Sequence, residues 1–296
     1  PHARQAALMT RAARCTPLTL LLLVVALGCR SAPPSVAPEP AATSDSPSEP
    51  GSQGGAPATE RATPSPAPAA RPTSLGPLTA HFAGPAAERA SHVVLLLHGF
   101  GDQGNGLALV AREFAASRPG LGVVALEGLL PHPQGGRMWW PIDIPRIQNA
   151  RASGDWPALE RERAPGVDAA RDAVVAALEE LRSRGVARER ITLAGFSQGA
   201  MLSVEVGLAH PELLGAVVAW SGAIIDRAAW EQRAPGGVRF TVVHGRRDTV
   251  LPFAQGEALH ALLRRVDPAA AWVPFDGPHT VSAEGRAALL RALPTP

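Results

Sequence analysis

The clearest chemical signal is a run of five residues, Gly195-Phe196-Ser197-Gln198-Gly199, which matches the pattern Gly-x-Ser-x-Gly. The apolar residues 191–194 before it predict a buried strand, and residues 200–204 after it predict the start of a helix. A sharp strand-to-helix turn raises the serine hydroxyl above the sheet, and the two glycines keep Cβ atoms out of the crowded turn. The pattern predicts that Ser197 is a nucleophile for acyl transfer.

A serine nucleophile needs a base within hydrogen-bond reach, and after this kind of turn the usual chain order is serine, acid, histidine. Four histidines follow Ser197. His210 lies at a predicted helix end, His244 ends a predicted strand and His260 lies inside a helical pattern. His279 lies in the loop after the last predicted strand, so we expect it to be the base.

The acid that orients the histidine should lie between the other two residues in the chain. Asp248 fits best because it lies in the turn after the apolar residues 240–243. Asp226 is the second candidate, whereas Asp276 is too close in sequence to His279 to bridge easily. The alternative for Asp248 is a solvated turn aspartate paired with one of the two arginines before it.

Acyl transfer also needs two hydrogen-bond donors aimed at the developing oxyanion. The turn itself supplies the backbone N–H of Gln198. The second donor should come from the glycine-flanked loop after the apolar residues 93–97, and we assign it to the backbone N–H of Phe100. We interpret His98 in the same loop as a structural residue that braces it.

These residues need a scaffold, and short apolar runs that alternate with amphipathic segments predict one. We expect an α/β-hydrolase fold: a mainly parallel, twisted sheet with helices on both faces. Residues 167–184 give the clearest helical pattern. Segments 131–147 and 150–165 interrupt the alternation, and we interpret the second as an inserted loop or short helix. The predicted strands are residues 93–97, 123–126, 191–194, 216–220, 240–243 and 271–275.

The N-terminal part has a different character. Arg11 and Arg14 precede the mainly apolar residues 18–27, and Gly28-Cys29 follows them. This layout predicts a secretory signal, and it also resembles a bacterial lipobox in which Cys29 is lipidated. The alternative is an ordinary thiol beside a plain signal peptide.

The predicted organisation has three parts: a lipoprotein-type signal peptide at 1–29, a disordered linker rich in proline, alanine and serine at 30–77, and a catalytic domain at 78–296. We therefore expect an exported protein, anchored to a bacterial membrane on its periplasmic or cell-surface side.

Composition narrows the function classes. The formal net charge is +2 with no basic cluster, which argues against a nucleic-acid partner. Both cysteines precede the predicted domain, so we expect no internal disulfide and no cysteine metal site there.

Four motifs in order resemble those of the phospholipase/carboxylesterase family, which includes bacterial carboxylesterases and acyl-protein thioesterases. They are residues 96–102, 195–200, 244–252 and 277–279. The resemblance implies hydrolysis of carboxylic esters or thioesters without metal or cofactor. It places the catalytic roles on Ser197, Asp248 and His279. From the ordered triad and the two oxyanion donors, our leading hypothesis is an esterase that acts on small or medium acyl groups through an acyl-serine intermediate.

The resemblance also extends to an aromatic segment that borders the acyl pocket in relatives, here Trp139 and Trp140. The alternative is that both tryptophans belong to the core. Two other functions stay open at this stage: a peptidase on the same fold, and a non-catalytic, surface-anchored binding protein.

Overall fold

The computed structural model describes residues 73–103, 106–161 and 163–293. The predicted signal peptide, Cys29 and the linker up to residue 72 lie outside these residues. In chain order the elements are β1 (Thr73–Leu75), β2 (Leu78–Ala83), β3 (His92–Leu97), α1 (Gly106–Ser117), β4 (Leu121–Leu126), β5 (Leu130–Pro131), β6 (Arg137–Met138), α2 (Ile144–Ser153), α3 (Pro157–Glu160), α4 (Val167–Ser183), β7 (Ile191–Phe196), α5 (Gln198–Ala209), β8 (Ala216–Trp220), α6 (Arg227–Glu231), β9 (Arg239–Gly245), α7 (Phe253–Leu263), β10 (Ala271–Phe275) and α8 (Ala283–Ala292).

Eight strands form one sheet in the order β1-β2-β4-β3-β7-β8-β9-β10. Strands β4, β3, β7, β8, β9 and β10 run parallel to one another, whereas β2 pairs antiparallel with both β4 and β1 at one end of the sheet. The mainly parallel sheet predicted from the sequence is therefore confirmed. In such a sheet the carboxyl ends of the parallel strands share one edge, where ligand sites form.

Helices cover both faces of the sheet, and the side chains of β3 show why. Val93, Leu95 and Leu97 pack into the core under α4, α5 and α7, whereas Val94 and Leu96 pack into a second core under α1 and α8. Successive side chains of a strand point to opposite faces, so a strand covered on both faces needs an unbroken apolar run. That requirement explains the short apolar runs in the sequence.

The segment boundaries differ in two places from those expected. β1 begins at Thr73, so the folded part starts within the residues assigned to the linker rather than at residue 78. The interrupting segments contain the β5–β6 hairpin, α2 and α3, and α2 crosses the gap between the two predicted segments. Among the described residues, no helix combines the length and apolar character that spanning a bilayer requires.

Candidate active site

Ser197 lies in a tight turn between β7 and α5, as the sequence predicted. Its φ is 52°, a left-handed conformation that costs energy for any residue with a Cβ atom. A Cβ on Gly195 would clash with the carbonyl oxygen of Gly199, and one on Gly199 would clash with that of Leu97. The two glycines are therefore required by the close approach of β7, α5 and β3. The Ser197 N–H donates to the Trp220 carbonyl of β8 (2.9 Å), which holds the turn on the sheet.

His279 and Asp248 are hydrogen-bonded to each other. The distance from His279 Nδ1 to Asp248 Oδ2 is 2.7 Å, and both side chains are buried. The other carboxylate oxygen, Oδ1, accepts the backbone N–H groups of Val250 (2.9 Å) and Leu251 (2.8 Å). The carboxylate is thus fixed at both oxygens, which presets the orientation of the imidazole.

The charged form of Asp248 is favoured by these contacts. Burial acts to raise its pKa, but the hydrogen bond with His279 and the backbone N–H of Leu251 act in the opposite direction. The net effect lowers the pKa of Asp248 below its usual value. The alternative reading, a solvated aspartate paired with a neighbouring arginine, is wrong because Asp248 is buried and bonded to His279.

The imidazole of His279 also reaches the nucleophile turn. Its ring lies 4.8 Å, centroid to centroid, from the ring of Phe196, the residue before Ser197. Its second nitrogen, Nε2, is buried and makes no hydrogen bond within the described part of the chain. Hydrogen bonds between catalytic residues are often unformed before substrate binds, so this free nitrogen is compatible with a base beside Ser197.

The two other candidate acids, Asp226 and Asp276, make contacts elsewhere. Asp226 caps α6 by accepting the Ala229 N–H (3.1 Å), and it also contacts Arg163 (3.4 Å). Asp276 is exposed and pairs with Arg247 (3.3 Å). Neither is bonded to His279.

Two of the other candidate bases also lie elsewhere. His210 follows the end of α5 and lies 3.3 Å from a carboxylate oxygen of Glu212. His260 lies in α7, where its Nε2 is 3.0 Å from the carbonyl oxygen of Ala270. Both rings are already engaged in local contacts.

His98 braces the loop after β3, as expected. The ring is fully buried; its Nε2 accepts the Gly128 N–H (2.7 Å), and its Nδ1 lies 2.7 Å from the Gly99 carbonyl. Nε2 must be unprotonated because it accepts from a backbone N–H, and Nδ1 must be protonated because it donates to a carbonyl. The ring is therefore neutral with its proton on Nδ1. Burial, which lowers the pKa of His98, favours this form.

The two expected oxyanion donors have free backbone N–H groups. Neither the N–H of Phe100 nor that of Gln198 has an acceptor among residues 73–103, 106–161 and 163–293. The loop also contacts the nucleophile turn, since a Cβ on Gly99 would lie 3.5 Å from Ser197 Cβ. Both free N–H groups thus belong to segments that meet at Ser197.

The sequence did not predict a role for the Gln198 side chain. Its Oε1 accepts the Trp139 N–H (3.0 Å), and its Nε2 donates to the Trp140 carbonyl (2.8 Å). The Trp139 indole N–H donates to the His98 carbonyl (2.9 Å). The amide next to the nucleophile was the available signal, but its partners are almost 60 residues away in the chain. Gln198 therefore ties the tryptophan segment to the nucleophile turn.

Trp139 and Trp140 themselves are core residues. Their side chains are 0% and 3% exposed and belong to the main apolar cluster. Neither side chain offers appreciable surface to solvent. Their role in lining an acyl pocket stays a prediction.

The sequence also did not predict a buried cluster of charged residues around Glu205, in the helix that follows Ser197. Glu205 of α5 is 1% exposed, and its carboxylate accepts from Arg163 (2.7 Å), the Trp230 indole (2.6 Å) and Arg171 (3.5 Å). Burial acts to raise the pKa of Glu205, but these donors outweigh it and lower the pKa. The cluster fastens the segment between α3 and α4 to the helix that follows the nucleophile.

Comparison with known proteins agrees with this geometry. Residues 81–283 match the phospholipase/carboxylesterase family. The chain belongs to this family. Family membership makes it a carboxylic ester hydrolase with the α/β-hydrolase fold, as predicted.

Several known proteins are similar to this member of the phospholipase/carboxylesterase family. An acyl-protein thioesterase 1 from Gibberella zeae is 28% identical over 65% of this chain and 85% of its own length. Esterase YpfH from Escherichia coli is 27% identical over 59% of this chain and 69% of its own. The crystal structure of esterase PE8 superimposes with a TM-score of 0.61 at 27% identity, covering 73% of this chain and 99% of that one.

Proposed function

We propose that this protein hydrolyses carboxylic esters of small or medium acyl groups through an acyl-serine intermediate on Ser197. His279 is the general base and Asp248 the acid that orients it. The observation that carries the proposal is the 2.7 Å hydrogen bond between His279 and the buried Asp248, next to the strained turn that presents Ser197.

The tautomer of His279 gives the direction of proton transfer. Asp248 is ionised, so His279 Nδ1 carries the proton of their hydrogen bond, and in the neutral imidazole that acts as a base Nε2 is then bare. Nε2 takes the Ser197 hydroxyl proton as Oγ attacks the acyl carbon, and the carboxylate of Asp248 stabilises the resulting imidazolium.

The oxyanion then needs stabilisation before the intermediate collapses. The N–H groups of Phe100 and Gln198 donate to it, each worth about 3 kcal/mol by comparison with other enzymes. His279 returns its proton to the leaving alcohol as the ester C–O bond breaks and the acyl-serine forms. Water then attacks the acyl-serine by the same route and releases the carboxylic acid.

Thioesters are a second substrate class. The relatives named acyl-protein thioesterase support it. A thiolate is a good leaving group, and the same nucleophile, base and donors serve both acyl types. Parallel measurement of matched oxygen esters and thioesters of one acyl group distinguishes the two preferences.

The test of the mechanism is Ser197→Ala, assayed with p-nitrophenyl esters of graded chain length. We expect a loss of about 10⁶-fold in kcat, by analogy with other serine hydrolases. A fluorophosphonate should label the wild type at Ser197. Ser221 provides a matched control because it also has a positive φ (51°) and a buried hydroxyl at a strand end, so Ser221→Ala should still label. Undiminished ester hydrolysis by Ser197→Ala would refute the proposal.

We further propose that the protein is exported and anchored to a bacterial membrane through a lipid on Cys29. The charged, apolar and small-residue order of the N-terminal sequence supports this. Cys29→Ser should move the protein from the membrane fraction to the soluble fraction. Cys15→Ser, upstream of the cleavage position, should leave fractionation unchanged, and membrane retention of Cys29→Ser would argue against the anchor.

A further inference from the structure

We infer that His244 is a positioning residue that holds the Asp248 turn in place for His279. The inference rests on the proposed function, because it concerns the acid of the same triad. His244 lies in β9, and residues 245–250 separate it from Leu251, whose carbonyl it contacts. It therefore bridges the two ends of the turn that carries Asp248.

The hydrogen-bonding state of His244 follows from its contacts. Nε2 lies 2.9 Å from the Leu251 carbonyl oxygen, which can only accept, so Nε2 carries a proton. Nδ1 is buried and has no hydrogen-bond partner within the described residues. The side chain is 0% exposed, and burial lowers the pKa of His244, so the ring is neutral with its one proton on Nε2.

The same nitrogen lies close to the catalytic carboxylate. His244 Nε2 lies 3.4 Å from Asp248 Oδ2, the oxygen that also binds His279. Leu251, whose carbonyl binds His244, donates its own N–H to Asp248 Oδ1. A closed set of contacts therefore runs from His244 to Leu251 and from Leu251 to Asp248. Without the His244 donor, the Leu251 carbonyl loses its hydrogen bond. The turn that orients the Asp248 carboxylate is then held less firmly.

Packing fixes the ring in this orientation. A Cβ on Gly256 of α7 would lie 2.5 Å from His244 Nδ1, so only glycine permits the helix to lie this close. The ring of Phe253 stands edge-on at 6.3 Å between centroids. The ring of His244 is held between α7 and the turn, with its Nε2 close to Leu251 and Asp248.

Three substitutions test the donor itself. His244→Leu removes it, His244→Gln places an amide N–H near the position of Nε2, and His244→Asn is too short to reach it. Because displacement of a catalytic group by about 1 Å costs about 10²-fold, we expect a fall in kcat of about that size for Leu and Asn, with KM little changed. Gln should recover most of the loss. If Leu does not fold, the comparison of Gln with Asn decides, and equal activities for those two would overturn the inference.

A double-mutant cycle separates positioning from a general structural role. In an Asp248→Asn background, His244→Leu should cost less than about threefold, because the orientation it supports has already been lost. A loss of the same size in both backgrounds would show that His244 acts only through overall structure and would overturn the inference. His260→Leu is the matched control, since its Nε2 also contacts a backbone carbonyl (Ala270, 3.0 Å), and it should retain full kcat.

The two proposals fail in different ways. A wild-type protein that neither hydrolyses esters nor labels at Ser197 contradicts the proposed function. An active wild type with a fully active His244→Leu contradicts only the positioning role.

Discussion

Gly195 and Gly199 approach each other so closely that a Cβ on the first would clash with the carbonyl oxygen of the second. Gly195→Ala should therefore abolish ester hydrolysis and destabilise the fold by several kcal/mol, since a backbone carbonyl cannot move aside. Gly185→Ala is the control, because its φ of 83° imposes strain but no atom lies within 4 Å of the added Cβ. It should cost about 1 kcal/mol. Urea unfolding measures both, and equal costs would show that crowding at the turn is unimportant.

The Gln198 side chain should contribute to stability through its two contacts with the tryptophan segment. Gln198→Glu keeps the acceptor for the Trp139 N–H but sets a carboxylate oxygen against the Trp140 carbonyl. An unsatisfied buried charge of this kind costs about 3 kcal/mol or raises the pKa of the new carboxyl. Relative to wild type, we expect the melting temperature to fall more at pH 8 than at pH 5, measured by circular dichroism. An equal decrease at the two pH values would show that the contact with the Trp140 carbonyl does not carry the effect.

The Glu205 cluster should contribute strongly to stability. Arg163→Met removes the donor 2.7 Å from a carboxylate that is 1% exposed, so we expect a loss of about 3 kcal/mol in the free energy of unfolding. The exposed pair of Arg161 and Asp155 provides the control, and Arg161→Met should cost less than about 1 kcal/mol. Similar losses in the two variants would mean that the buried carboxylate is not held by Arg163.

His92 should make the fold sensitive to mild acid. Burial first, and then nearby arginine charges, lower its pKa from 6.5 to about 4 in the folded protein. Between pH 6.5 and pH 4, His92 is protonated in the unfolded chain but stays neutral in the folded chain. The free energy of unfolding is therefore highest above pH 6.5 and declines toward pH 4.

Replacement of His92 should remove its contribution to the pH dependence of the free energy of unfolding. In His92→Gln, the loss of unfolding free energy between pH 7 and pH 5 should shrink by about 2 kcal/mol relative to wild type. Urea titrations at the two pH values measure it. His210→Gln, at a partly exposed position, is the control. If the free energy of unfolding of His92→Gln depends on pH as that of wild type does, His92 is not the cause of the acid sensitivity.

Local sequence patterns predicted much of the framework. Apolar runs located the central strands because burial on both faces demands them, and glycine spacing located the turn at Ser197 because only glycine fits there. Motif order also selected His279 and preferred Asp248 over Asp226, although only the fold showed which carboxylate contacts the imidazole. The start of β1 was missed, since Thr73–Leu75 is short and follows a proline-rich stretch.

The sequence by itself determined the α/β framework, the turn that presents Ser197 and the set of residues able to complete its chemistry. Tertiary structure alone decided the pairings of Gln198 with the tryptophan segment, of Arg163 with Glu205 and of His244 with the Asp248 turn. The reason is physical. Periodicity and turn chemistry record contacts between near neighbours, whereas these hydrogen bonds depend on the order of strands in the sheet and on how closely the helices pack against it.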